Sequence, residues 1–181
     1  MTLCALFIAL VSVCSMVSIP MPAGVPVSLA LLAVFLCGLL LPPSWAVSSV
    51  AGYIALVAAG VPVTARGGAG VGYLLGPTGG YMIGYLATTL IVSMSTHGRS
   101  KRGRFKTAAA MALGLLGCYM VGTVWFVVVS GYSGTHYTFF QALTVCVIPF
   151  LPGDALKIIA SMELAARLYP QFPQVLGETM C

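Results

Sequence analysis

An acidic and a basic residue stand three positions apart at the start of an apolar stretch near the end of the chain. Asp154 and Lys157 follow a Pro-Gly pair, and their spacing puts both side chains on one face of a helix. A charged side chain costs about 2.5–3.5 kcal/mol at the centre of a membrane-spanning helix, so a structural or functional interaction must offset the cost of this pair. The pair can bind a polar ligand group as acceptor and donor. Alternatively, it is an internal ion pair, an Asp that caps the helix, or an interfacial pair without consequence.

Arg66 is a second candidate, in a segment from Pro62 to Gly80 that contains seven glycines. Arginine can attract a ligand carboxylate through a charge-assisted hydrogen bond, and glycine amides, that of Gly68 among them, can approach a ligand because no side chain intervenes. The alternative is an arginine that extends its head to the membrane interface. The segment lacks the lysine of a GxxxxGK[ST] motif, so a nucleotide phosphate is not its natural ligand.

The remaining polar residues give weaker signals. Glu163 and Arg167 lie four positions apart, which favours a pair on one helix face near the membrane surface. His97 and His136 fall in two different predicted connections, with no second ligand nearby, so we expect no metal site. None of the six cysteines forms a CxxC motif, and we expect them to be small packing residues.

Apolar helices must position these residues. The chain is 60% hydrophobic and only 6% charged, a composition that lipid solvates better than water. A spanning helix needs about 20 apolar residues, and continuous apolar runs favour helices over the alternating strands of a barrel. The 181 residues therefore predict an all-α integral membrane protein with about six transmembrane helices, forming a single membrane-embedded domain over residues 1–181.

Proline and glycine clusters mark where the predicted helices end, because proline lacks a backbone donor and glycine favours turns. The predicted spans cover residues 2–19, 27–41, 45–60, 79–95, 107–130 and 152–168. Thr78 is predicted to cap the fourth span. A short helix over residues 137–150, before the last span, is too short to cross comfortably, so we predict it to be interfacial or re-entrant.

Five of the eight basic residues lie in one stretch, at positions 99, 101, 102, 104 and 106. Because Lys and Arg are retained on the cytoplasmic side, this loop predicts a multi-pass protein of the plasma membrane with both termini in the cytoplasm. The glycine-rich loop and the break before Asp154 then both face outward, where irregular backbone can line a cavity. No folded basic surface remains, so we do not expect nucleic acid to be a partner.

Two motifs, LLGPTGGY at residues 74–81 and FLPGDALK at residues 150–157, resemble those of the BioY family, the biotin-binding S components of energy-coupling-factor (ECF) importers. The resemblance extends along nearly the whole chain and includes SIP at 18–20 and VPVSL at 25–29. It implies a six-helix membrane domain that binds biotin at the outer face as its transported ligand. It implies no cofactor and no enzymatic activity in this chain.

The resemblance also implies roles for the candidate residues. Asp154 accepts from a ureido N–H of biotin, and Lys157 donates to the ureido oxygen or, as the second choice, to the carboxylate. Arg66, Tyr73 and the amides of residues 67–72 are candidates for the other end. Three aromatic residues either pack against the bicyclic ring or are ordinary interface or core residues: Tyr81, Tyr85 and Trp125. The candidate substrate-binding set is Asp154, Lys157, Arg66, Gly68, Tyr73, Thr78 and Tyr81.

Ala5 and Ala9 place two small residues four apart on the first helix, which permits close approach of another helix. That helix can belong to this chain. The resemblance instead implies a docking face for the ECF coupling transmembrane subunit, with ATPase subunits completing the complex, since this chain has no P-loop. Three alternatives stay open: an S component for another vitamin, a noncatalytic structural membrane subunit, and an intramembrane enzyme that uses the acid and base.

Overall fold

The computed structural model describes residues 2–19, 27–96, 103–132 and 137–168. These residues are mostly helical, which confirms the all-α prediction in outline. The helices are α1 (Thr2–Met16), α2 (Ala30–Leu40), α3 (Pro43–Ala58), α4 (Val71–Leu74), α5 (Gly79–Thr96), α6 (Arg104–Tyr132), α7 (Phe139–Cys146) and α8 (Leu151–Leu168). Single 3-10 turns cover Ala65–Gly67 and Ile148–Phe150.

Two short strands follow α1 and precede α2. Strand β1 (Ser18–Ile19) pairs antiparallel with β2 (Val27–Ser28). The prediction of helix over residues 17–19 and 27–29 was wrong, because part of this backbone pairs between the two strands instead. The pairing brings the end of α1 next to the beginning of α2.

Two helical stretches of the described chain are long and apolar enough to cross a membrane: Arg104–Tyr132 and Phe139–Leu168. The second contains α7, the 3-10 turn and α8, so the short helix predicted before the last span leads directly into it. Helices α1, α2 and α3 are apolar but shorter. The number of six spans stays a prediction.

Helix α2 lies at the centre of the bundle and contacts α1, α3, α5 and α8. Nine of its eleven residues are buried. At 1.5 Å per residue it is about 16 Å long, roughly half the thickness of a bilayer hydrocarbon core. Such a short central helix leaves space at its ends, and the pocket described below is lined by Ser28 and Leu31 at its N-terminal end.

Helices α5 and α6 form the most extensive helix pair of the described chain. A Cβ atom added at Gly84 would lie 2.8 Å from Sγ of Cys118, and one added at Gly114 would lie 3.2 Å from the carbonyl oxygen of Thr88. The Thr88 hydroxyl donates to the carbonyl oxygens of Gly84 (3.0 Å) and Gly114 (2.8 Å). Small residues let the two backbones approach closely, which is how helices associate in lipid.

The basic stretch that we predicted as a loop is partly helical, since α6 begins at Arg104. The Arg104 guanidinium pairs with the Glu163 carboxylate on α8. Among the described residues, Glu163 forms its ion pair with Arg104 and not with Arg167. The predicted pair of Glu163 with Arg167 was therefore wrong. Packing places the start of α6 beside the last turns of α8, which periodicity along a single helix does not reveal.

We expect Arg104→Gln to lower the free energy of unfolding by no more than about 1 kcal/mol, because solvent-exposed ion pairs contribute little. The two side chains are 76% and 48% exposed. Thermal unfolding of the purified protein in detergent measures the effect, with Lys106→Gln, an exposed cation of the same helix, as control. A clearly larger loss than in the control would show that the pair is shielded from water.

Candidate functional site

A pocket of about 670 Å³, open space at its mouth included, lies at the N-terminal end of α2. Residues from α1, α2, α3, α5, α6, α8 and the glycine-rich segment line it. Its wall includes five tyrosines, at positions 53, 73, 81, 85 and 119, together with Asp154 and Lys157.

Asp154 and Lys157 lie in the first two turns of α8 and face the pocket. Nζ of Lys157 donates to Oδ1 of Asp154 at 2.7 Å. The residues are 3% and 7% exposed, so this is a buried ion pair. Removing two charges from water is costly, and close geometry with further hydrogen bonds offsets that cost. The sequence correctly predicted that the two side chains share a helix face.

Tyr119 supplies one of those further hydrogen bonds, which the sequence alone did not predict. Its hydroxyl, on α6, donates to Oδ2 of Asp154 at 2.5 Å. Both oxygens of the carboxylate are therefore held in place, one by Lys157 and the other by Tyr119. The two partners lie 35 positions apart. The available signal was general: a tyrosine within an apolar helix requires a hydrogen-bond partner for its hydroxyl.

A second buried hydrogen bond, also not predicted from the sequence, joins two residues that line the pocket. The hydroxyls of Ser15 on α1 and Tyr53 on α3 are 2.6 Å apart, and both residues line the pocket. Tyr53 is 1% exposed. This bond fixes the α1 side of the pocket, which is next to the strand pair.

The glycine-rich segment reaches the pocket through Thr64, Ala65, Tyr73 and Thr78 rather than through its glycines. Gly68 lies behind Tyr73: a Cβ atom at this position would lie 2.1 Å from the tyrosine ring. With the Tyr73 ring in this position, residue 68 has no room for a side chain, because the ring rests on its backbone.

Three amides that we predicted to be available for a ligand are used within the protein, and that of Gly67 donates to the carbonyl oxygen of Thr64 at 3.0 Å. The Gly68 amide donates to the carbonyl oxygen of Ala65 at 3.5 Å, and the Gly70 amide donates to that of Val57 at 2.7 Å. The Thr64 hydroxyl donates to the Gly68 carbonyl oxygen at 2.5 Å. These bonds satisfy the backbone of a segment that is not a regular helix. The Arg66 side chain lies outside the described residues.

Thr78 contributes to the start of α5 through its backbone. Its carbonyl oxygen accepts from the amides of Tyr81 (3.1 Å) and Met82 (3.4 Å). The predicted role of its side chain as a cap stays a prediction. Thr78, Tyr81 and Met82 all line the pocket, so the GPTGGY motif forms one of its walls.

Trp125 does not line the pocket, although we considered it as a residue that packs against a ligand ring. Its Nε1 donates to the carbonyl oxygen of Gly76 at 2.9 Å. A Cβ atom at Gly80 would lie 2.2 Å from Cβ of this tryptophan. Trp125 therefore anchors the GPTGGY motif to α6, whereas Tyr85 does line the pocket as expected.

Comparison with known proteins identifies the family. The sequence model of the BioY family matches residues 1–174. The chain belongs to the BioY family. A BioY protein of Pyrococcus horikoshii, named "Probable biotin transporter BioY", is 33% identical over 92% of this chain and 94% of its own length. The biotin transporter BioY of Rhodobacter capsulatus is also 33% identical, over 94% and 93%.

A solved structure agrees with the fold of this BioY chain. It is the S-component for biotin from an ECF-type ABC transporter, and it matches this chain with a TM-score of 0.78 and 27% sequence identity. The match covers 92% of this chain and 88% of that protein. The named BioY relatives are transporters, which makes this chain a membrane protein of a transport family rather than a member of an enzyme family.

The predicted docking residues of this BioY chain lie on an open face. Ala5 and Ala9 are both exposed on α1. The large apolar residues Leu6 and Val13 of the same helix are 56% and 61% exposed. Within the described residues nothing of this chain covers that face, which is free for lipid or for another subunit.

The five cysteines in the described part of this BioY chain are free thiols, and those at positions 37, 118 and 146 are buried. Cys118 and Cys146 line the pocket. The described residues contain no group of three potential metal ligands. The burial of the cysteines at positions 37, 118 and 146 agrees with the expectation that these are small packing residues.

We expect Tyr119→Phe to weaken ligand binding by about 5- to 30-fold, or about 1–2 kcal/mol, because Asp154 loses a hydrogen bond worth about 1.5–3 kcal/mol and part of that loss falls on the ligand that it holds. The ring keeps its packing, and the Asp154 carboxylate loses one of its two fixed contacts. Calorimetric titration measures the affinity, with Tyr132→Phe, an exposed tyrosine at the end of the same helix, as control. Equal affinities in both variants would show that Tyr119 does not position the carboxylate.

Proposed function

We propose that this chain captures biotin at the outer face of the plasma membrane, as the substrate-specific S component of an ECF-type importer. The buried acid–base pair in the wall of the pocket is the observation that carries this proposal. The names of its BioY relatives and of the matched structure supply the ligand.

The chemistry of the pair suits the ureido ring of biotin, which offers two N–H donors and one carbonyl acceptor. Lys157 has three N–H donors and uses one on Asp154. The carboxylate has about four acceptor sites and accepts one bond on each oxygen. Asp154 can therefore accept a ureido N–H while Lys157 donates to the ureido oxygen, and the ion pair stays intact. Biotin would enter without leaving a buried charge unpaired.

The rest of the ligand would lie along the tyrosine-rich walls. Tyr81 and Tyr85 offer apolar faces for the thioether ring. Tyr73 and Thr78 have hydroxyls for the valerate carboxylate, with Arg66 as the cation for that end. Gly68 contributes indirectly, by supporting the ring of Tyr73.

In this proposal the transport cycle needs partner subunits. Ala5 and Ala9 on the exposed face of α1 would contact the coupling transmembrane subunit of an ECF complex, whose ATPase subunits supply the energy. The chain itself, a single domain over residues 1–181, would perform no bond chemistry and need no cofactor. Membrane lipid would cover its remaining apolar surface, and nucleic acid would not be a partner.

The proposed topology has six spans and both termini in the cytoplasm. The two long apolar helices account for two of the spans, and α1, α2, α3 and α5 would supply the others. Basic residues retained on the cytoplasmic side support this orientation. The glycine-rich segment and the start of α8, which both contribute to the pocket, would then face outward.

Calorimetric titration of the purified protein with biotin, thiamine and riboflavin tests the ligand. We expect saturable binding of biotin and no binding of thiamine or riboflavin. We expect biotin binding to be lost in Asp154→Asn and in Lys157→Met. Saturation by thiamine or riboflavin would make the chain an S component for another vitamin. Wild-type affinity for biotin in both variants would show that Asp154 and Lys157 are not part of the binding site.

Uptake of labelled biotin tests the transport step. The host cells lack a biotin importer of their own. Uptake is compared between cells that express this chain alone and cells that express it together with coupling and ATPase subunits. We expect full uptake when all the subunits are present. No uptake in either case would contradict an importer, even if the purified chain binds biotin.

A further inference from the structure

The ring of Tyr81, in the wall of the pocket, rests on the backbone of a glycine in the neighbouring helix. Tyr81 lies in α5, is 8% exposed and lines the pocket. A Cβ atom added at Gly122 of α6 would lie 2.3 Å from both Cδ1 and Cε1 of the ring. Real Cβ contacts are never this short, so the ring takes its position only because residue 122 has no side chain.

Packing, rather than hydrogen bonding, holds this ring. In the described part of the chain, the buried Tyr81 hydroxyl lies beside the Thr123 hydroxyl and the Cys146 thiol but makes no hydrogen bond of standard geometry, and neither does the Thr123 hydroxyl. The contrast is with Tyr53 and Tyr119, two other tyrosines of the pocket, whose hydroxyls are bound to Ser15 and Asp154. Without such a bond, the Tyr81 ring moves when the surface behind it changes.

The protein fills most of the space around the Tyr81 ring. Thr123 and Cys146 lie beside its hydroxyl and are 0% and 1% exposed, so that side is filled by the protein. Gly122 and its helix lie behind it. The open side is the pocket itself. Close-packed surroundings do not absorb an extra methyl group without displacement.

We propose that Gly122 determines the ligand specificity of the pocket by setting how far Tyr81 extends into it. This inference rests on the proposed function. With glycine at 122, the ring lies back against α6 and leaves room for a fused bicyclic ligand. A larger residue at 122 pushes Tyr81 inward, which narrows the pocket and favours smaller ligands that carry the same polar groups.

The test is the affinity of Gly122→Ala for biotin and for dethiobiotin, which keeps the ureido ring and the carboxylate but lacks the sulfur bridge. We expect the affinity for biotin to fall at least about tenfold, a typical consequence of overpacking, with a smaller loss for dethiobiotin. The ratio of the two affinities therefore shifts towards dethiobiotin.

Two glycines of the same helix serve as matched controls. Gly117→Ala places its Cβ 3.7 Å from Ile91, an ordinary contact, and should leave both affinities unchanged. Gly114→Ala places its Cβ within 3.1–3.3 Å of Thr88, and neither residue lines the pocket. It should lower the melting temperature without changing the ratio of affinities, which separates general destabilisation from narrowing of the pocket.

A second variant keeps the test valid if Gly122→Ala does not fold. In a Tyr81→Leu background the bulky ring is absent, so adding Gly122→Ala should change the affinity for biotin little. A large further loss in that background would overturn the proposal, as would a biotin affinity for Gly122→Ala equal to that of Gly117→Ala. An equal loss for both ligands would also overturn it. Failure of the wild-type protein to bind biotin is a separate result, which contradicts the proposed function itself.

Discussion

Lys157→Met is expected to lower the free energy of unfolding by about 3–5 kcal/mol, because breaking a buried ion pair leaves the other charge unpaired. Of its hydrogen bonds within the described residues, the Asp154 carboxylate, 3% exposed, would keep the one from Tyr119. We also expect biotin binding to be lost, since the donor to the ureido oxygen is absent. Unfolding in detergent and calorimetric titration measure the two effects.

The double variant Asp154→Asn/Lys157→Met separates stability from binding. It removes both charges, so most of the lost stability should return, whereas biotin binding should not. Lys106→Met, at an exposed position of α6, controls for the change of lysine to methionine. If Lys157→Met is as stable as this control, the carboxylate is not held in a dry site. If the double variant binds biotin normally, the pair is not part of the ligand site.

Gly79→Ala is expected to lower the free energy of unfolding by about 3 kcal/mol or more, beyond the usual cost of overpacking. A Cβ atom at this position would lie 1.6 Å from the carbonyl oxygen of Leu74, which belongs to the backbone and cannot rotate away. The turn before α5 would have to shift. Because Tyr73 and Thr78 lie in or next to that turn, we expect ligand binding to fall as well.

Gly72→Ala is the matched control for this prediction. The glycine lies in α4, a few residues earlier in the same segment, and an added Cβ would meet nothing within 4 Å. Alanine also favours helix over glycine, so this variant should be as stable as the wild type or slightly more stable. Equal melting temperatures for Gly79→Ala and Gly72→Ala would show that the turn can adapt and that the motif glycine is dispensable.

The sequence alone determined the class of the protein and most of its helices. Its apolar composition predicted membrane helices, and proline and glycine clusters located most helix ends to within a few residues. Local pairing of β1 with β2 was missed, because two-residue strands carry no periodicity that a sequence pattern can detect. The glycine-rich segment was correctly placed between helices, although it contains the 3-10 turn and α4.

For the candidate site, the sequence determined what depends on local spacing. Asp154 and Lys157 are three positions apart, so a single helix was enough to bring them together. Motif resemblance drew attention to Tyr73, Thr78 and Tyr81, each of which lines the pocket. Whether these residues bind the ligand stays a prediction that the titrations above address.

Only the tertiary structure decided which distant residues meet. Tyr119 with Asp154, Ser15 with Tyr53, and the ring of Tyr81 on Gly122 are contacts between different helices. The physical reason lies in the helices themselves. A helix that is apolar on every side has no polar face to indicate which side turns inward, so its rotation is set by close packing against its neighbours.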